Sequence, residues 1–514
     1  MDSDLSAIYA DALTAVLENC QARWIRRPVK LDDTTPLLQV ALYAQPHARA
    51  HGWYRSESAP GSGMVEATLP VELENLTRLA LPALWKAARE RLERLSPGHA
   101  SRWDKFKITV VVGSSFAIGN LEKTALAAYQ ASHRDGGAVA RTLLAGGISR
   151  SYRDTPSTLP VVRLSNTGTP LPVSEFLITI PILHHQWSAE EERESLLAAL
   201  AHELEHVWQI AWLGQPMHSL LYVTAFAEMC AVYREIAVAP ASRALLDWVP
   251  GWREEGGVSL LTNGSYFGYR QFPAALVLEE LCPGVLDRVW SRLLDPATAE
   301  VAHPWGLVAA ELNASGKDME QILRLLAGRT FLPGAEGLPD AWQLLHGRAG
   351  PRQEAFRLDL QQAALNNWNG FELGAEGRTT EFPPSLALTL WPLSCAPAVI
   401  VPHPGLDTVL HWEVDPSPRV PDPKPVILAW PLAGAASTAP LPLACSPSVP
   451  FVLPAGGPPV LMVLIHAQIP EILHQDHGVW RDAEVLQDIV PGYAITSRLH
   501  WSFEPSSQSV VDFF

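Results

Sequence analysis

Leu196–His206 reads Leu-Leu-Ala-Ala-Leu-Ala-His-Glu-Leu-Glu-His. Its last five residues place His202, Glu203 and His206 in the order H-E-x-x-H. On a helix, residues four apart lie one turn apart on one face, so both imidazoles reach a single metal ion. Glu203 sits on the neighbouring edge, where its carboxylate reaches a water bound to that metal. The flanks predict the helix. Ser188 and Glu191 form an S-x-x-E capping box. Ala198, Ala199, Leu200 and Ala201 favour helix, and Gly214 and Pro216 end it. The span is about seven turns at 3.6 residues per turn. The bland alternative is a pair of surface histidines in an ion-pair lattice with Glu203 and Glu205.

H-E-x-x-H is the zinc-hydrolase ligand pattern, with the glutamate as general base. A tetrahedral catalytic zinc needs a third protein ligand and an open position for water. The continuation H-x-x-G-x-x-H is absent, because Gln209 and Trp212 stand where Gly and His are required. The next helical run, Met217–Val238, offers Glu228. Leu221, Thr224, Ala225, Ala231 and Val232 share its face, and a carboxylate on so small and apolar a face is costly unless paired. A zinc ion on His202 and His206 would supply the pairing; an arginine from elsewhere is the alternative.

These residues carry a family resemblance. H-E-L-E-H followed by a glutamate in the setting E-x-x-A-x-Y (Glu228, Ala231, Tyr233) resembles the gluzincins, zinc peptidases of thermolysin-like fold. Phe176–Pro181, Tyr266–Leu281 and Ala314–Thr330 extend the likeness to a bacterial metallopeptidase type with a following β-sandwich. The resemblance implies an α+β multidomain fold: a thermolysin-like core of small sheet plus helical lobe, an α-rich amino-terminal region and an all-β carboxy-terminal sandwich. It implies zinc on His202, His206 and Glu228, Glu203 as base, and Tyr266 or Tyr269 as donor to the developing oxyanion. Two tyrosines packing at a helix start are the plain alternative. The strand before the zinc helix, Phe176–Ile182, is expected at the sheet edge, where it would pair with an extended substrate. The chain lacks the Gly-x-Met-Glu-Asn signature of the large aminopeptidases, which puts endopeptidase ahead of aminopeptidase. A catalytically silent relative serving as a binding module is the rival class.

The domain limits follow composition. Residues 1–104 read as α-rich, with helices at Leu5–Cys20 and Val71–Leu95 around a polar loop at Arg55–Gly63. Residues 105–372 form the expected peptidase domain. Lys107–Val112 and Val161–Leu164 are strand candidates, and helical runs pass through Leu312, Ile322 and Leu344. Beyond a boundary at 372–384, half of the 44 prolines fall in the last 133 residues. Short β-rich runs replace helices there: Leu386–Trp391, Val399–Val401, Thr408–Val414, Val426–Trp430, Val460–His466 and Tyr493–Phe503. Residues 384–514 therefore read as a sandwich that packs on the peptidase or binds a protein partner.

Other features exclude classes. A net charge of −16 without a basic cluster argues against nucleic acid. No run of 18 apolar residues suggests a membrane span. The first residues, Met-Asp-Ser-Asp-Leu, do not resemble a signal peptide, which leaves a cytoplasmic protein, another export route or a leader absent from this chain. Five widely spaced cysteines without C-x-x-C read as buried free thiols. His184, His185, the glycines from Gly113 to Gly119 and the pair His474 and His477 read as loop residues.

Overall fold

The computed structural model describes residues 23–27, 39–44, 81–98, 106–113, 157–160, 175–181, 189–213, 224–242, 259–262, 265–293, 303–331, 341–343, 356–359, 385–431, 443–445, 449–470 and 490–505, with Trp103 and Leu473. Helices and sheets are mixed, as an α+β chain requires. The chain forms two compact units, Met1–Asp247 and Trp248–Phe514.

In the first unit, five strands make one sheet: β1 (Arg23–Arg27), β2 (Gln39–Ala44), β3 (Lys107–Gly113), β4 (Ser157–Pro160) and β5 (Glu175–Pro181). Their order is β1-β2-β3-β5-β4. β2, β3 and β5 run parallel, while β1 and β4 are antiparallel to their neighbours. This corrects one expectation. β5, the Phe176–Ile182 strand, is not at the edge, because β3 takes one side (Val110 opposite Ile178) and β4 the other (Thr158 opposite Ile178). Both its hydrogen-bonding edges are occupied. Among the described residues, the outermost strand beside it is β4.

Residues 1–104 also contribute β1 and β2, which the sequence reading did not foresee. The Val71–Leu95 helix is described as α1 (Leu81–Leu95); Leu5–Cys20 and Val161–Leu164 lie outside the described residues, as do His184, His185, His474 and His477. α2 (Ala189–Leu213) begins directly after Ser188 and runs 25 residues. α3 is Thr224–Val238, the described part of the Met217–Val238 run. α2 packs on α1 and α3. It needs apolar residues on several faces, and Leu197, Leu200, Ala201, Leu204, Val207 and Trp208 are all buried. Trp103 Nε1 donates to Leu204 O at 3.1 Å. Arg91 on α1 donates to Val238 O, placing a cation at the carboxyl end of α3.

Among the described residues of the second unit, the longer helices before the two sheets are α4 (Ser265–Leu281), α5 (Val285–Leu293), α6 (Pro304–Ala314) and α7 (Met319–Phe331). The remaining strands are β6 (Phe356–Asp359), β7 (Ser385–Leu390), β8 (Ser394–Val401), β9 (Leu406–Asp415), β10 (Val426–Pro431), β11 (Leu443–Cys445), β12 (Phe451–Leu453), β13 (Val460–His466) and β14 (Ile495–Pro505). They form sheets of order β11-β10-β13-β8-β6 and β12-β9-β14-β7. Pairings are antiparallel except β6 with β8. Ile400, Ile427, Met462 and Leu464 from one sheet meet Leu390, Leu410, Trp412, Leu499 and Trp501 from the other in one core. This is a two-sheet sandwich.

β13 is buried along its whole length. Val460, Met462 and Leu464 fill the sandwich core. Alternation turns Leu461, Val463 and Ile465 to the opposite face, which α7 covers. Thus α4–α7 lie in the same unit as the sheets. Cys230, Cys282 and Cys395 are buried free thiols. No helix among the described residues is long and apolar enough to cross a membrane.

Candidate metal centre

α2 and α3 lie side by side, and their contact brings His202, His206 and Glu228 together. The two Nε2 atoms are 3.0 Å apart. Glu228 Oε2 stands 3.2 Å from His202 Nε2 and 3.3 Å from His206 Nε2. The imidazole rings meet edge to face, at 80° with centroids 4.6 Å apart. The three atoms thus form a nearly equilateral triangle. Zinc–nitrogen and zinc–oxygen bonds of about 2.0–2.2 Å give a tetrahedron whose edges are about 3.3 Å. The triangle has the size of one face of that tetrahedron, with a fourth vertex for solvent. The donor set of two neutral-capable nitrogens and one carboxylate fits a divalent metal ion. It is the one such cluster among the described residues.

The far side of each ring is also engaged. His202 Nδ1 lies 2.5 Å from Glu235 Oε1. His206 Nδ1 lies 2.9 Å from Gln209 Oε1. These contacts hold the rings so that Nε2 points inward. Sequence reading missed both residues. Glu235 is seven residues after Glu228, two turns on and on the same helix face. The recurrence of a glutamate seven residues on along an apolar helix is the sequence signal for it. Gln209 was noted only for breaking a different motif.

Charge holds the cluster together. Burial alone would lower the His202 pKa, but the Glu235 and Glu228 carboxylates outweigh it and hold it well above the ordinary histidine value. For His206, burial is again outweighed by Glu228, and the pKa is raised. Burial would raise the Glu228 pKa; His206 and His202 overcome this and keep it far below the usual carboxylate range. Glu203 is buried, and its charge acts favourably on both imidazoles. Deeper in the helix contact, Glu205 pairs with Arg234 at 3.4 Å.

Tyr266 and Tyr269 lie on α4 in the second unit. Tyr269 is half-buried, and the Tyr266 side chain lies outside the described residues. Comparison with protein-family models, with curated proteins and with solved structures finds no match to this chain.

Proposed function

We propose that the chain is a zinc-dependent metallopeptidase of gluzincin type, cutting within peptides or proteins. The observation that carries this reading is the inward triangle of His202, His206 and Glu228 with both outer ring nitrogens engaged. Zinc in that position would polarise a substrate carbonyl and bring a bound water's pKa toward neutrality.

Glu203 takes the proton of the attacking water and hands it to the leaving amine. Glu228 would offset one positive charge of a divalent ion held there. β4, outermost on its side among the described strands, would offer its edge to an extended peptide, and main-chain hydrogen bonds would then bind substrate with little demand on its side chains.

The test is digestion of a peptide library by the purified chain, with and without chelator, alongside Glu203→Gln. The variant is expected to retain zinc while cleavage falls roughly 10²–10⁴-fold, the usual contribution of a general base. Zinc uptake with no cleavage by the parent chain would leave a silent binding module. Cleavage by Glu203→Gln at the parent rate would refute the mechanism.

A further inference from the structure

Gln209 stands between the metal triangle and the buried ion pair, touching both. Its Oε1 is 2.9 Å from His206 Nδ1, and its Nε2 is 3.2 Å from Ala227 O and 3.4 Å from Glu205 Oε1. Gln209, Glu205 and Arg234 are all buried, at 2 %, 0 % and 2 % exposure. We propose that Gln209 is the positioning residue for His206, and that the Glu205–Arg234 pair dictates which way its amide faces. The inference rests on the metal reading above and adds residues to it that the H-E-x-x-H pattern does not contain.

The argument is one of donors and acceptors. Arg234 carries only donors, and the Glu205 carboxylate beside it turns its other oxygen, an acceptor, to Gln209. Ala227 O also accepts only. Two acceptors on one side of Gln209 require its NH₂ group there, which has two hydrogens to give. The amide oxygen is thereby turned to His206. An acceptor facing Nδ1 requires the ring proton on Nδ1, and Nε2 is left with its lone pair toward the triangle. Without the Glu205 acceptor, the amide is free to turn over. Its NH₂ would then face Nδ1, and the ring proton would move to Nε2, where it blocks a metal bond. Glu205 and Arg234 touch no metal or substrate. Their effect passes through Gln209. The two ligand rings are thus held differently, His202 by a carboxylate and His206 by a neutral amide whose direction is set by a buried acceptor.

The test uses the zinc-loaded full chain, with zinc affinity measured by chelator competition in the parent, Gln209→Leu, Glu205→Gln and the double variant. Gln209→Leu is expected to weaken zinc binding roughly 10–100-fold, the usual effect of removing such a partner. Glu205→Gln should weaken it in the parent background and add nothing in the Gln209→Leu background. Unchanged affinity in Gln209→Leu, or an equal Glu205 effect in both backgrounds, overturns the inference. Because Glu205→Gln leaves Arg234 buried without its carboxylate, a second measurement needs no variant. Nitrogen-15 NMR of the zinc-loaded parent should show His206 protonated at Nδ1 and metal-bound through Nε2; the reverse assignment overturns the inference. A parent chain that takes up no zinc overturns the metal reading itself, and this inference with it.

Discussion

At the scale of single residues, the site divides into what spacing reveals and what only packing reveals. His202, Glu203 and His206 are readable because one helix holds all three. Glu228 is readable because a carboxylate among Thr224, Ala225, Ala231 and Val232 calls for a partner. Glu235 and Gln209 were not found, since their roles depend on how α2 meets α3. Glu235→Ala is expected to weaken zinc binding roughly 10–100-fold by releasing the His202 ring, while Glu235→Gln, which still accepts from Nδ1–H, should lose less. Equal losses in the two variants, by chelator competition, would show that Glu235 acts by charge alone. The metal-free chain also carries a pH signature. His202 and His206 have raised folded pKa values, so their stabilisation is complete below about 6.5 and lost as pH rises through the folded values. Glu228 runs the other way: its contribution is present above about 4.5 and lost as acid protonates the folded carboxylate. Melting of the chelated protein should therefore weaken from neutral toward alkaline pH. A melting temperature that rises over that range would contradict the charge assignment.

At the scale of elements, strong periodicity and good punctuation were enough. α2 starts beside Ser188, and β13 has the limits that Val460–His466 suggests. Strand neighbours were not readable, because pairing is decided by residues far along the chain. Phe176–Ile182 has the composition of any buried strand, and nothing in it tells that β4 closes its second edge. One element carries its own pH sensor. His303 caps α6, with Nδ1 accepting from Trp305 N at 3.2 Å and Pro304 as the first helical residue. Burial pushes its pKa down to about 3. The neutral ring is the capping form, so stability is complete above about 6.5 and falls as pH drops from there toward the folded value. At pH 5 the loss is about 2 kcal/mol, from 1.36 kcal/mol per pKa unit. His303→Asn keeps an accepting cap without the titration. Its melting temperature should fall less than the parent's between pH 7 and pH 5, and an identical fall would place the acid sensitivity elsewhere.

At the scale of the whole molecule, composition locates a change in secondary structure. Prolines become dense and short β runs take over near 381, and two sheets sharing one core follow. The helices before that point still share a unit with the sheets, because β13 and β8 have apolar residues on the face that α7 covers. A two-sided strand such as Val-Leu-Met-Val-Leu-Ile asks for a layer on each face. The metal triangle belongs wholly to the other unit, on α2 and α3. Zinc that binds only the folded chain should stabilise it by about 2.7 kcal/mol when free zinc is a hundred times its dissociation constant. The gain has an address. Hydrogen exchange on adding zinc to chelated protein should slow within 196–209 and 224–238, where both ligand helices lose their separate freedom to open. Protection that appears elsewhere and leaves those two segments unchanged would mean that zinc is held by other residues, and that the triangle is only a buried hydrogen-bond cluster.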